Sequence, residues 1–113
     1  NVTQISQMFY NCFNLEYIAL LDMSSIDSTP SFLFGFSTMN KLTRLEGFRN
    51  LHVDFDLSLA PNLTVDSIMN VINEASNLSL EKKTATLKLG ATNIAKLSEE
   101  QIAIASVKGW TLA

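Results

Sequence analysis

The chain has 113 residues, 47% of them apolar, and a formal net charge of −3. That length suits one domain, and the apolar content is too high for a disordered tail. Its eight Lys and Arg are scattered, with Lys82-Lys83 the only adjacent pair, so the clustered basic footprint of a nucleic-acid binder is missing.

The first predicted element is a helix. Ile5, Met8, Phe9 and Cys12 fall at i, i+3, i+4 and i+7, behind Thr3 as N-cap. Leu15-x-x-Ile18-x-Leu20 then reads as the L-x-x-L-x-L strand of a leucine-rich repeat. Phe32, Leu33, Phe36 and Met39 form a second helical stripe, entered through Thr29-Pro30, with proline in the first turn where it is tolerated. The stretch from Phe36 to Leu45 repeats the one from Phe9 to Ile18 at an offset of 27 residues. In each, an aromatic precedes a leucine by six positions and an aliphatic follows three later. Val53, Phe55 and Leu57 alternate with Asp54 and Asp56, predicting a half-buried strand over His52–Leu57. A third helix carries Ile68, Met69, Ile72 and Ala75, capped by Thr64, with Asp66 near its positive end. Ala85, Leu87 and Leu89 mark another strand, closed by Gly90. The fourth helix has the fullest set of signals. Ser98-Glu99-Glu100-Gln101 is a capping box, Lys108 sits in the last turn, and Gly109 supplies the left-handed stop. Trp110 and Leu112 flank Thr111 in a final strand.

Helix then strand, repeated, predicts an α/β leucine-rich-repeat solenoid: a short horseshoe arc with a parallel sheet on one face and helices on the other. Residues 1–113 form a single domain of about four to five coils, the last a capping coil over 98–113. Taking Ile18, Leu45, Phe55, Leu87 and Trp110 as equivalent inward positions gives spacings of 27, 10, 32 and 23 residues. The spacing of 10 cannot hold a parallel crossover. The coil around 42–57 is therefore irregular, and either Leu42–Leu45 or His52–Leu57 is not a regular rung. The start at Asn1, without an initiator Met or signal peptide, reads as the interior of a longer repeat protein. Its first helix is expected to expose an apolar edge around Ile5 and Phe9 and to promote self-association. The acidic first turn at Glu99 and Glu100 and the stop at Ala113 suit a C-terminal cap.

Met8-Phe9-Tyr10-Asn11-Cys12-Phe13-Asn14-Leu15 resembles the M-F-x-x-C-x-x-L pattern of the bacterial surface leucine-rich repeats called BspA-type. The segment from Leu97 to Ala105, with Gly109-Trp110-Thr111-Leu112, resembles the terminal coil of such proteins and of some phage-associated relatives. The second repeat departs from the pattern, with Met39 where the cysteine would fall. The resemblance implies an extracellular or cell-surface location, display and partner binding, and no particular ligand.

Chemistry-bearing residues are few. His52, Asp54 and Asp56 would share one face of a strand, as metal ligands or an acid–base set. Alternate residues on one strand are roughly 6–7 Å apart, too far for compact coordination, so a solvated strand face is the plainer reading. Cys12 lies on an apolar stripe and reads as a buried small side chain rather than a reactive thiol. No nucleophile elbow or phosphate-cradling loop occurs, and neither an enzyme nor a cofactor is expected. The sequons at Asn1, Asn62 and Asn77 read as incidental, with Asn62 and Asn77 turning the chain beside inward leucines. The Phe-rich stretch from Phe32 to Phe36 reads as core.

What remains is a binding face. In the single-ladder register Tyr17, Ala19, Arg44, Glu46, Asp54, Asp56, Thr86, Lys88 and Thr111 point outward along one surface. That face suits a polar partner, a protein loop or a glycan, with no nucleic acid and no membrane span. The expected role is a non-catalytic binding or display module of a larger bacterial surface or secreted protein. The alternative is a purely structural cap, or a phage-tail-associated repeat domain.

Overall fold

The computed structural model describes residues 14–19, 21–27 and 38–113. The predicted first helix with Ile5, Phe9 and Cys12, and the stripe from Phe32 to Phe36, lie outside them, as does the proposed apolar edge.

The described residues form an α/β domain of small parallel sheets and helices. Strands β1 (Tyr17–Ala19) and β2 (Arg44–Glu46) pair in parallel, Ile18 opposite Leu45. Strands β3 (Phe55–Asp56), β4 (Ala85–Lys88) and β5 (Trp110–Leu112) form a second parallel sheet in that order. Phe55 lies opposite Leu87, and Ala85 opposite Trp110. The single ladder expected from the sequence is thus two. Leu45 and Phe55 belong to different sheets, so no crossover has to fit between them. The chain leaves the first sheet after Glu46 and enters the second at Phe55, and Phe48 and Phe55 meet edge-to-face across the core at 6.1 Å between ring centroids. His52 lies before β3 rather than on it, which shortens the predicted strand over His52–Leu57 to two residues.

A step of three builds the bend. Met39, Leu42, Leu45, Phe48 and Leu51 are all buried, each three residues from the next. A short extended run followed by a tight turn returns every third side chain to the interior, a pattern between the periods of strand and helix. The turns close with N–H to C=O bonds from Leu42 to Met39 and from Ala60 to Leu57, and another runs from Ile26 to Met23. All six end residues are buried.

Among the described residues the α-helices are α1 (Val65–Glu74), α2 (Ala91–Ile94) and α3 (Glu99–Val107), with a 3-10 helix over Leu78–Glu81. Thr64 caps α1 by accepting from Ser67 N–H. Ser98 and Gln101 form the reciprocal capping box of α3. After α3 the chain turns at Gly109, where φ is +89° and an added Cβ would sit 2.8 Å from the Lys83 carbonyl oxygen. Only glycine meets both demands. Helix α1 packs on β2, and α3 packs on α1 and β5. The Lys108 ammonium donates to the Ile72 and Asn73 carbonyls at 2.9 and 2.8 Å, supplying the cation that the last turn of α1 itself lacks.

Among the described residues every buried side-chain polar atom has a hydrogen-bond partner. Asn93, 0% exposed, donates to the carbonyls of Ala60 and Leu89. Lys96 caps that arrangement with bonds to Pro61 and Leu63 carbonyls and to Asn93 Oδ1. Asn62 turns the chain as expected, donating to the Asn40 carbonyl at 2.7 Å, beside buried Leu63. Trp110 is buried and donates its indole N–H to Ser76.

Candidate functional site

The outer edge of β2 is closed by side chains rather than by a third strand. Ser67, buried in the first turn of α1, accepts from Leu45 N–H at 2.9 Å and donates to the Thr43 carbonyl at 3.2 Å. Thr64 N–H bonds the same carbonyl, and Asn70 Oδ1 accepts from Phe48 N–H at 3.3 Å. A helix therefore docks where a strand would, and it stands off from β2 by the reach of its side chains. The result is an open cleft of about 490 Å³ lined by Arg44, Leu45, Glu46, Thr64, Asp66, Ser67 and Asn70.

A trio of side chains joins β1 to the β2 wall. The Arg44 guanidinium lies over the Tyr17 ring, 4.5 Å from its centroid, and donates to Glu46 Oε1 at 2.6 Å. The Tyr17 hydroxyl donates to Glu46 Oε2 at 2.9 Å. Pairing opposite in the ladder brings these residues together: Tyr17 stands against Arg44, and Ala19, two residues on, against Glu46. The bond from Arg44, then that from Tyr17, holds the Glu46 carboxyl below its ordinary range. Reciprocally, Glu46 pushes both the Tyr17 phenol and the Arg44 guanidinium up. All three are exposed, so the trio contributes little to stability in water. What it does is hold a cation, a carboxylate and an aromatic ring in fixed mutual orientation.

The remaining face residues lie on the second sheet or, for Asp54, just before β3. Asp54 accepts from Thr86 N–H at 2.8 Å, a side-chain rung extending the β3–β4 ladder. Asp56 accepts from the Ser58 N–H and hydroxyl at 2.8 and 2.6 Å, and Lys88 is exposed at the end of β4. The expected continuous face is two separate ones, because its residues divide between two sheets that share no hydrogen-bonded edge.

His52, Asp54 and Asp56 do not converge. His52 contacts the Asn50 carbonyl through Nδ1 and Asp27 through Nε2, both at 2.9 Å. Only the imidazolium can donate both. The Asn50 carbonyl first, then Asp27, raises the His52 pKa. Asp22 joins the same corner, its carboxyl held down by bonds from Ser24 N–H and the Asn50 amide. The corner ties the 22–27 loop to 50–52. Among the described residues no group of three His, Cys, Asp or Glu could hold a metal ion.

Thr64, Asp66, Ser67 and Asn70 were not read as part of a face. Their signal is a polar stripe at helical spacing on the first two turns of α1, opposite buried Ile68 and Ile72. No helix among the described residues is long and apolar enough to cross a membrane. No family model, curated protein or solved structure matches the chain.

Proposed function

We propose that the chain is a non-catalytic binding module of the leucine-rich-repeat class, part of a larger bacterial cell-surface or secreted protein, which recognises a partner through the β2–α1 cleft. Parallel pairing of Tyr17 with Arg44 and of Ala85 with Trp110 supports the repeat reading, because partners lie about one 20–29-residue repeat apart. The BspA-type resemblance of the first repeat points the same way. The observation that carries the binding reading is the Tyr17–Arg44–Glu46 trio, of which Arg44 and Glu46 line the cleft. It is pre-organised, exposed and of little use to stability, and pre-organised polar groups lower the ordering cost of recognition.

Binding of the 113-residue chain to a panel of purified matrix proteins and oligosaccharides tests the reading. A partner should bind the unaltered chain and bind Arg44→Met about tenfold more weakly, as for a lost hydrogen bond to a charged group. A panel with no binder, or a binder indifferent to Arg44→Met, would count against the cleft and favour a structural role in sealing a solenoid.

A further inference from the structure

We infer that the β2–α1 cleft takes a neutral oligosaccharide. The inference rests on the binding-module reading and adds the chemistry of the ligand. Both walls offer one hydrogen-bond donor group and one acceptor group. On the β2 wall Arg44 commits one guanidinium N–H to Glu46 out of five. Glu46 accepts one bond on each oxygen, from Arg44 and from Tyr17. An ionised carboxylate has about four lone-pair positions, leaving about two free. On the helix wall Asn70 must present its oxygen to Phe48 N–H, because only the oxygen accepts. That fixes the amide with its NH₂ directed away from the Phe48 backbone. Asp66, exposed in the first turn of α1, adds a second carboxylate to the cleft.

A ligand for such walls must donate and accept at neighbouring positions. Hydroxyl groups do both, and adjacent hydroxyls on a sugar ring repeat the pairing at short spacing. An anion would meet Arg44 and Asn70 but face two carboxylates, Glu46 and Asp66, against one cation. A divalent cation would meet those carboxylates but lie against the guanidinium that already bonds Glu46 at 2.6 Å. A peptide supplies donors and acceptors too, yet peptide recognition concentrates its affinity in buried aromatic or aliphatic anchors. Among the residues that line the cleft only Leu45 is apolar, and its side chain is buried, so the walls present no aromatic or aliphatic side chain around which such an anchor could pack. Its volume of about 490 Å³ is in the range of small-molecule sites, and its open shape suits a segment of a chain.

The test is a titration of the isotopically labelled 113-residue chain, following backbone amides of Leu45, Glu46, Ser67 and Asn70 by NMR. The ligands are neutral β-glucan and mannan fragments, neutral glycoprotein-type oligosaccharides ending in galactose, an oligosaccharide bearing uronates, and a polar peptide. The expected result is a saturable shift of those amides by one of the neutral sets, which also tells polysaccharide from glycoprotein as the source. Asp66→Ala and Arg44→Met, both at exposed side chains, should each weaken it about tenfold, with unchanged spectra elsewhere reporting an intact fold. Saturation by the uronate ligand alone, or neutral-sugar binding indifferent to both substitutions, would overturn the inference. A peptide or matrix protein acting at these amides without any sugar would overturn it and leave the binding-module reading standing. Silence from every ligand would remove both.

Discussion

Ser67 Oγ accepts the Leu45 N–H at 2.9 Å, so a helix side chain takes the place of a neighbouring strand at the edge of β2. An edge strand's free N–H groups must otherwise find water or another chain. Here the edge is buried, and the helix that closes it also forms the far wall of the cleft. Ser67→Ala leaves the Leu45 N–H without its partner, while Thr43 keeps its bond from Thr64 N–H. The expected cost is about 1–3 kcal/mol, read as a lower midpoint in urea unfolding. No change would mean that the helix, and not this bond, holds the edge.

Lys108 links the end of α3 to the end of α1. Lys108→Met keeps most of the aliphatic stem and removes the bonds to the Ile72 and Asn73 carbonyls. The expected loss is about 0.5–1 kcal/mol, the usual value of a cation at a partly exposed helix C-terminus. Amide exchange should quicken in the last turn of α1 and leave the capping box of α3 unaltered.

Gly109→Ala is expected to be the most damaging single substitution outside the apolar core. It combines a left-handed backbone with a Cβ 2.8 Å from a backbone oxygen. A cost of about 2–3 kcal/mol follows from strain of that kind. Thermal unfolding of the variant checks it, and a midpoint within error of the unaltered chain would contradict the geometry.

His52 makes the 22–27 loop sensitive to pH. Its pKa is raised from 6.5, so the protonated form is the one the fold favours. The stabilisation is complete below the ordinary imidazole value and is lost as pH rises through the raised one. Asp27 is 87% exposed, which keeps the effect below about 1 kcal/mol. The difference in thermal midpoint between the chain and His52→Gln should be larger at about pH 5.5 than at about pH 8.5, on either side of the range in which imidazole titrates. A difference that grows with pH would have the sign wrong.

Much of the second half of the fold was legible. Ser98, Gln101 and Gly109 mark the ends of α3 because capping is local chemistry, and Thr64 marks the start of α1 for the same reason. Trp110 and Leu87 were correctly placed inward by alternation. The division into two sheets was not legible. Leu45 and Phe55 each have exposed polar neighbours and a buried centre, and nothing in either triplet names its partner strand. Only the impossible spacing between them registered a break. The step of three from Met39 to Leu51 is visible in the sequence, but it belongs to neither strand nor helix and so predicts neither. The roles of Asn93 and Lys96 carry no local signal, since the Ala60, Pro61 and Leu63 carbonyls they bond lie more than thirty positions away.

The site was half legible. Tyr17, Arg44 and Glu46 were singled out as outward strand residues, and the parallel register makes them neighbours. The residues grouped with them, Asp54, Asp56, Thr86 and Lys88, lie on the other sheet or, for Asp54, just before it. The helix wall went unread because a polar stripe on a helix ordinarily means solvent, and only docking against β2 makes Asp66 and Asn70 face Arg44.

The division of the face supplies the most direct test of the account. Two double variants, Arg44→Met with Glu46→Gln and Asp54→Asn with Lys88→Ala, are to be compared with the unaltered chain for binding to the same partner. The first should lose about 100-fold if two hydrogen-bonding charged groups each contribute roughly 1.5 kcal/mol, and the second should bind within error of the unaltered chain. The reverse pattern, with binding lost only in the Asp54 and Lys88 variant, would place recognition on the second sheet and contradict the account.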